Sequence, residues 1–284
     1  MLKHARDKIK YIFLLPAVLL AGLFIFWPLY ELFILSMQKT NFITSKFVGV
    51  KNYINLFSNK AFIQSIFNSL FYIILLVIGQ IGGAGFLALL SCNLSKKWHD
   101  FVRLAFYIPI ISAGVFIASM WKWIFHLNGP LNWLLNICGI KSIVWFAQGI
   151  TGIPAISFIV IMASLGTNAI MILASILSIE TSMFDQAQID GASWFQIKIK
   201  IILPQIFPIL MMLGFMSAIN AMAIFETIQF LAPYEYTATI VYNIYDMAFT
   251  LSKHGMASAG AIILLFITIG MTLLKNKIEI GINK

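Results

Sequence analysis

From Tyr11 to Tyr30 the chain runs twenty residues without a charge, and apolar residues continue past Glu31 to Met37. About twenty mostly apolar residues are what an α-helix needs to cross a bilayer. Comparable runs recur at about 66–92, 102–125, 154–178, 205–231 and 257–274. Only 10% of the 284 residues are charged and 61% are hydrophobic, against roughly 25% charged in an ordinary soluble domain. That balance excludes a disordered chain and a water-soluble globule. Cys92 and Cys138 are the only cysteines, too few for a disulfide-stapled secreted domain. The runs also lack the polar/apolar alternation of a membrane barrel. The expectation is an all-α, polytopic bundle of six transmembrane helices, forming one domain over residues 1–284.

Lys3, Arg6, Lys8 and Lys10 precede the first run, as in a signal peptide. The run is longer than a signal core and no small-x-small cleavage site follows, so it reads as an uncleaved span. Six spans place both termini on one side. With the termini inside, twelve of the 19 Lys and Arg fall in inner segments and seven in outer ones, the direction of the positive-inside rule. The first outer loop runs the other way, carrying Lys39, Lys46, Lys51 and Lys60 without an acid. Trp27, Tyr30, Trp121 and Trp123 close spans where an aromatic belt sits. The net charge of +9 reads as basic flanks meeting anionic membrane lipid; no nucleic-acid partner is expected.

Chemistry-bearing motifs are sparse. No G-x-x-x-x-G-K-[ST] loop is present to cradle nucleotide phosphates, nor an H-E-x-x-H metal pair. His4, His99, His126 and His254 are scattered over distant segments. Gly79, Gly82, Gly83 and Gly85 lie inside an apolar run, where a Gly79-x-x-x-Gly83 pattern means close helix packing. No catalytic constellation, metal site or cofactor is expected within this chain. Energy for solute movement must come from a partner or an ion gradient, and a gradient-driven carrier usually needs an ionisable residue near the membrane centre. Glu31 follows a full span. Glu226 lies 21 residues past the start of its span, roughly 30 Å along a helix. Both therefore fall near the outer surface.

The most informative polar stretch is the inner loop 179–203. Thr181 or Ser182 is a candidate helix cap, with Asp185 near the positive end. Gly191 can end a short helix in the left-handed region, Ser193 can start another, and Pro204 and Pro208 suit the first turns of span five. Phe184, Ala187, Trp194, Phe195, Ile197 and Ile201 supply apolar contacts. Chemistry alone leaves two readings open: a partner-binding helix–turn–helix, or an amphipathic connector resting in the headgroups.

The spacing Asp185-Gln186-Ala187, three residues, Gly191, nine residues, Ile201-x-Leu203-Pro204 resembles the EAA loop of binding-protein-dependent ABC importer permeases. That loop usually reads E-A-A-x-x-x-G-x9-I-x-L-P, often with the D-G-A kept here as Asp190-Gly191-Ala192. Asp185 stands for the usual Glu and Gln186 for Ala. Gly49-x-x-Asn52-Tyr53-x-x-Leu56-Phe57, Arg103-x-x-x-Tyr107-x-Pro109, and Trp121-x-Trp123 followed by Gly129-x-Leu131-Asn132-x-x-Leu135 are similar to the carbohydrate-uptake branch of that family. Ala232-Pro233-Tyr234-Glu235-Tyr236-Thr237 keeps the Pro of a usual glycine-rich turn but not its glycines.

The resemblance implies a division of labour. Two cytoplasmic ABC ATPase subunits bind and hydrolyse ATP, a second related permease completes the pathway, and an external solute-binding protein delivers a sugar-type substrate. This places the chain in a bacterial cell membrane with both termini cytoplasmic. Phe184, Asp185, Ala187, Asp190, Gly191, Ala192 and Trp194 become candidates for ATPase coupling through a cytoplasmic coupling helix. Ser217, Asn220, Glu226, Gln229 and Asn168 become candidates for the substrate pathway, with helix–helix hydrogen bonding as the alternative use of such groups. A gradient-driven carrier and a non-transporting membrane scaffold remain the competing readings.

Overall fold

The computed structural model describes residues 13–40, 44–91, 114–231 and 236–282. The basic N-terminal residues, Cys92, the first half of the expected third span with Arg103, Tyr107 and Pro109, and Ala232 to Glu235 lie outside them. The architecture is all-α apart from one two-stranded hairpin. In chain order the elements are α1 (Phe13–Ser36), β1 (Gln38–Thr40), β2 (Ser45–Phe47), α2 (Lys51–Phe57), α3 (Lys60–Ser91), α4 (Gly114–Ile124), α5 (Pro130–Ile137), α6 (Gly149–Leu177), α7 (Thr181–Ile189), α8 (Trp194–Met222), α9 (Glu226–Leu231), α10 (Ile240–Tyr245, continued by a π-turn over Asp246–Thr250) and α11 (His254–Ile282). Among the described residues, five helices (α1, α3, α6, α8 and α11) are long and apolar enough to cross a membrane.

The chain forms two compact units, Met1–Ile63 with Asn243–Ile267, and Gln64–Tyr242 with Thr268–Lys284. In the smaller unit, Gly49 turns the chain at φ +57° after β2. Buried Asn52 donates both amide hydrogens to backbone carbonyls, Ser36 O at 2.8 Å and Gln38 O at 2.9 Å. The Tyr53 hydroxyl bonds Ser36 Oγ at 2.8 Å. The Gly49/Asn52/Tyr53 motif thus locks the end of α1 to α2. Gly255 lies against Gln38 O with no room for a Cβ.

In the larger unit, the glycine pattern of α3 does what its spacing predicts. A Cβ at Gly79 would collide with Ile161, and one at Gly83 would lie 2.8 Å from Leu165 Cδ1. Gly214 of α8 meets Ile81 in the same way. Three helices therefore approach closely through small residues, the usual means of packing where lipid removes the hydrophobic drive between helices. The core around them is built from Ala169, Ile172, Leu173, Ile202, Ile206 and Leu213 at one end and from Tyr72, Leu76, Ile156, Ala221 and Ile228 at the other. Gly129 sits against the carbonyls of Trp123, Ile124 and His126. Fully buried Asn132 bridges His126 O and both backbone groups of Ile143 at 2.9–3.1 Å, which fixes the 126–143 loop.

Several boundaries differ from the sequence expectation. The second span starts at Lys60 rather than 66, because Asn59 Oδ1 accepts from the Ala61 N–H at 2.9 Å and caps the helix. The fifth run does not continue to 231. It stops at Met222, where Ala223 N–H turns back to Asn220 O, and a separate short helix α9 follows. No Gly or Pro causes this break. Ile224 O, freed from the helix ladder, accepts from buried Thr239 Oγ1 at 2.6 Å, so a residue fifteen positions later fixes the stop.

Candidate functional site

The loop between α6 and α8 folds as a helix, a glycine turn and a second helix. α7 begins at Thr181, with Glu180 in the cap position and no side-chain cap bond; neither Thr181 nor Ser182 acts as the expected cap. Its far end is a Schellman closure: Gly191 N–H donates to Gln188 O at 3.0 Å and Ala192 N–H to Ala187 O at 2.9 Å, with Gly191 at φ +76°. Ser193 then opens α8 with a reciprocal capping box. Its Oγ accepts from Gln196 N–H, and Gln196 Oε1 accepts from Ser193 N–H at 2.7 Å.

The second helix does not stop before span five. α8 is continuous from Trp194 to Met222, and Pro204 and Pro208 lie inside it. Proline cannot donate to the helical ladder and crowds the carbonyl four residues back. A π-turn over Lys198–Ile202, closed by Leu203 N–H to Lys198 O, makes the room. The loop is therefore joined to a membrane-length rod.

The side chains of this loop divide into two sets. Phe184, Ala187, Ala192 and Ile201 pack against the core cluster holding Ile197 and Ile202. Asp185, Gln186, Asp190, Gly191 and Trp194 are exposed. The most open apolar side chains are Ile189 at 85% and Phe195 at 70%. Ile189 is not in the expected set, although it is an Ile in a polar loop just ahead of the turn glycine. Lys198 Nζ stands 5.1 Å from the Trp194 ring centre, close enough for a cation–π contact.

The expected pathway residues also separate. Ser217 is buried and its hydroxyl donates to Gln80 Oε1 at 2.5 Å. Asn168 Nδ2 reaches the same oxygen at 3.5 Å, so Gln80 ties α3 to α6 and α8. Gln80 sits in an apolar run beside the packing glycines, and its polarity there is the available signal. Asn220, Glu226 and Gln229 are exposed, with Met212 and Met216 on the same side of α8 as Asn220.

A second polar set closes the irregular backbone at 236–240. Asn68 Nδ2 donates to Ala238 O at 3.0 Å and Tyr236 O at 3.2 Å, and Tyr72 Oη donates to Thr237 O at 3.1 Å. Ile240 N–H donates to Ser69 Oγ at 3.0 Å. Non-helical backbone at membrane depth is tolerated only when such partners exist.

Among the described residues, five membrane-length apolar helices with an exposed polar loop between two of them mark a polytopic membrane protein. The family described as binding-protein-dependent transport system inner membrane component matches residues 80–283, and the chain belongs to it. The probable ABC transporter permease protein YurN of Bacillus subtilis (strain 168) is 30% identical over 278 residues, 95% of each chain. The trehalose/maltose transport system permease protein MalF of Thermococcus litoralis is 27% identical over 98% of this chain and 95% of its own. A chain in the crystal structure of a bacterial ABC transporter involved in import of the acidic polysaccharide alginate superposes with a TM-score of 0.86. It is 25% identical, covering 99% of this chain and 98% of that one.

Proposed function

We propose that this chain forms one half of the membrane pathway of an ATP-driven importer, and that α7 is the element through which the ATPase moves it. Two cytoplasmic ATPase subunits bind the ATP, a second related permease supplies the other half, and an external binding protein delivers a carbohydrate-type solute. The trehalose/maltose and alginate relatives support the solute class. The inner bacterial membrane, with both termini cytoplasmic, is the matching location.

The observation that carries this reading is the mechanical build of 180–222. Phe184, Ala187 and Ala192 fasten the short helix to the core, while Ile189, Trp194 and Phe195 stand out as apolar knobs flanked by Asp185 and Asp190. Buried apolar anchors dominate the energy of protein contacts, and the two carboxylates suit basic side chains of the ATPase. A displacement delivered at Ile189 reaches α8 through the Gly191 closure, a turn held by two backbone hydrogen bonds. Asn220, Glu226 and Gln229, unlike Ser217 and Asn168, keep open polar groups that suit sugar hydroxyls.

The test is disulfide cross-linking. Cys92 and Cys138 are replaced by Ser, Ile189→Cys supplies a single thiol, and partner thiols are placed in the groove of the cognate ATPase subunit. ATP-dependent cross-linking is expected. Labelling of the introduced thiol only by lipid-soluble reagents would return the loop to an interfacial connector and remove the coupling role.

A further inference from the structure

The smaller unit holds a cavity of about 690 Å³ lined by Lys39, Lys46, Lys51, Lys253, Ser252 and Asn55, among others. That volume falls in the range of small-molecule sites. Four lysines line it, and among the described residues no Asp or Glu does.

Three features show that the fold holds these cations together against local preference. The hairpin register sets Lys39 directly opposite Lys46, and like charges in that position destabilise a strand pair. Lys253 immediately precedes the 29-residue helix α11, whose first-turn residues Gly255 and Met256 also line the cavity; a cation there opposes the positive end of the helix dipole. Ser252 sits at φ +51°, a left-handed conformation costly for a residue with a Cβ. It is held by Leu251 N–H to Asp246 O at 2.9 Å and Lys253 N–H to Met247 O at 2.8 Å. The walls are firm as well, since Asn52 and Gly255 pin β1 to α2 and α11.

We propose that this cleft is an oxyanion-binding site that takes a carboxylate or phosphate group carried on a polyhydroxylated body. An oxyanion among the four ammonium groups relieves their mutual repulsion and answers the α11 dipole. Asn55 and Ser252 offer neutral hydrogen bonds to the rest of the ligand. The inference rests on this unit's geometry and stands apart from the import reading. A free acidic sugar and a lipid headgroup present the same chemistry.

The full-length chain in phosphatidylcholine nanodiscs is titrated with trigalacturonate, inorganic pyrophosphate and neutral maltotriose, with binding read by thermophoresis. The charged probes are expected to bind and maltotriose is not. Lys39→Gln with Lys253→Gln weakens charged-probe binding at least about tenfold and flattens its salt dependence. The Lys39→Arg/Lys253→Arg pair, which keeps the charge, retains binding and controls for misfolding. In nanodiscs with one-third phosphatidylglycerol, unchanged binding assigns the site to a soluble anion, and competition assigns it to lipid phosphate. Equal binding of maltotriose, binding that survives the Gln pair, or no charged-probe binding in phosphatidylcholine overturns the proposal. ATPase stimulation by an external binding protein reports separately on the import reading.

Discussion

Two polar segments of the larger unit use the same kinds of side chain in opposite ways. Around 236–240, Asn68, Ser69, Tyr72 and Thr239 are buried, and each is bonded to backbone that lies outside a helix or at the first residue of α10. At 180–196 the Gly191 closure and the local Ser193/Gln196 capping box satisfy the backbone, leaving Asp185, Gln186, Gln188 and Asp190 exposed. In these two segments a polar side chain is either consumed by backbone or left displayed on the surface. What it bonds to tells the two apart, and polarity in the sequence does not.

The largest expected effect breaks the second segment at its turn. Proline fixes φ near −65° and removes the N–H that Gly191 donates to Gln188 O. Gly191→Pro should lower ATP-driven uptake by roughly a hundredfold, the upper range for loss of coupling between two sites. Membrane insertion and basal ATPase activity should persist. Normal uptake in vesicles would remove α7 from the coupling path. Next in size is the first segment. Asn68→Leu leaves the carbonyls of Tyr236 and Ala238 without their donor in a buried site, which should cost about 2 kcal/mol. Thermal unfolding in detergent would show it, and an unchanged melting temperature would mean that the 236–240 backbone finds other partners.

Those two residues differ in how visible their roles are in the sequence. Gly191 is legible because only a residue without a Cβ takes φ +76° easily, and its spacing from Pro204 marks the loop. Gly79 and Gly83 are legible for the same reason, their value being the space they leave. The roles of Asn68 and Thr239 are not, because the bonds of Asn68 link α3 to residues about 170 positions later, and periodicity carries no such information. The end of α8 at Met222 is hidden likewise. Helical periodicity puts Phe184 and Ala187 on the apolar stripe of α7. It does not say whether that stripe meets the chain's own core or a partner, and it meets the core.

Ile189 sharpens the comparison from the other side. At 85% exposure it contributes little to folding of the chain, so Ile189→Ala should leave the melting temperature unchanged. If it fills a pocket on the ATPase subunit, losing it should weaken assembly by about tenfold, a typical effect for an apolar anchor. Co-purification of the ATPase with the variant, titrated against subunit concentration, measures this. A variant that melts early but assembles normally would move Ile189 into the class of folding residues.

The smallest effect concerns the hydroxyl that ends α8. Thr239→Val keeps the shape of the side chain but removes both the donor to Ile224 O and the acceptor of the Tyr242 N–H at the start of α10. Hydrogen bonds inside membrane proteins are worth about 0.6 kcal/mol on average, and an acceptor left unpaired in a buried site raises the cost to about 1 kcal/mol. Thr239→Ser keeps the donor and should recover most of that loss. If only the Ser variant melts below the parent, packing of the Thr methyl holds the α8–α9 break, and the hydroxyl is incidental. If only Val falls, the break depends on the hydroxyl, which donates to Ile224 O and accepts from the Tyr242 N–H in place of lost rungs of the helix ladder. The 223–225 segment is then placed by the same backbone accounting that Asn68 performs at 236–238.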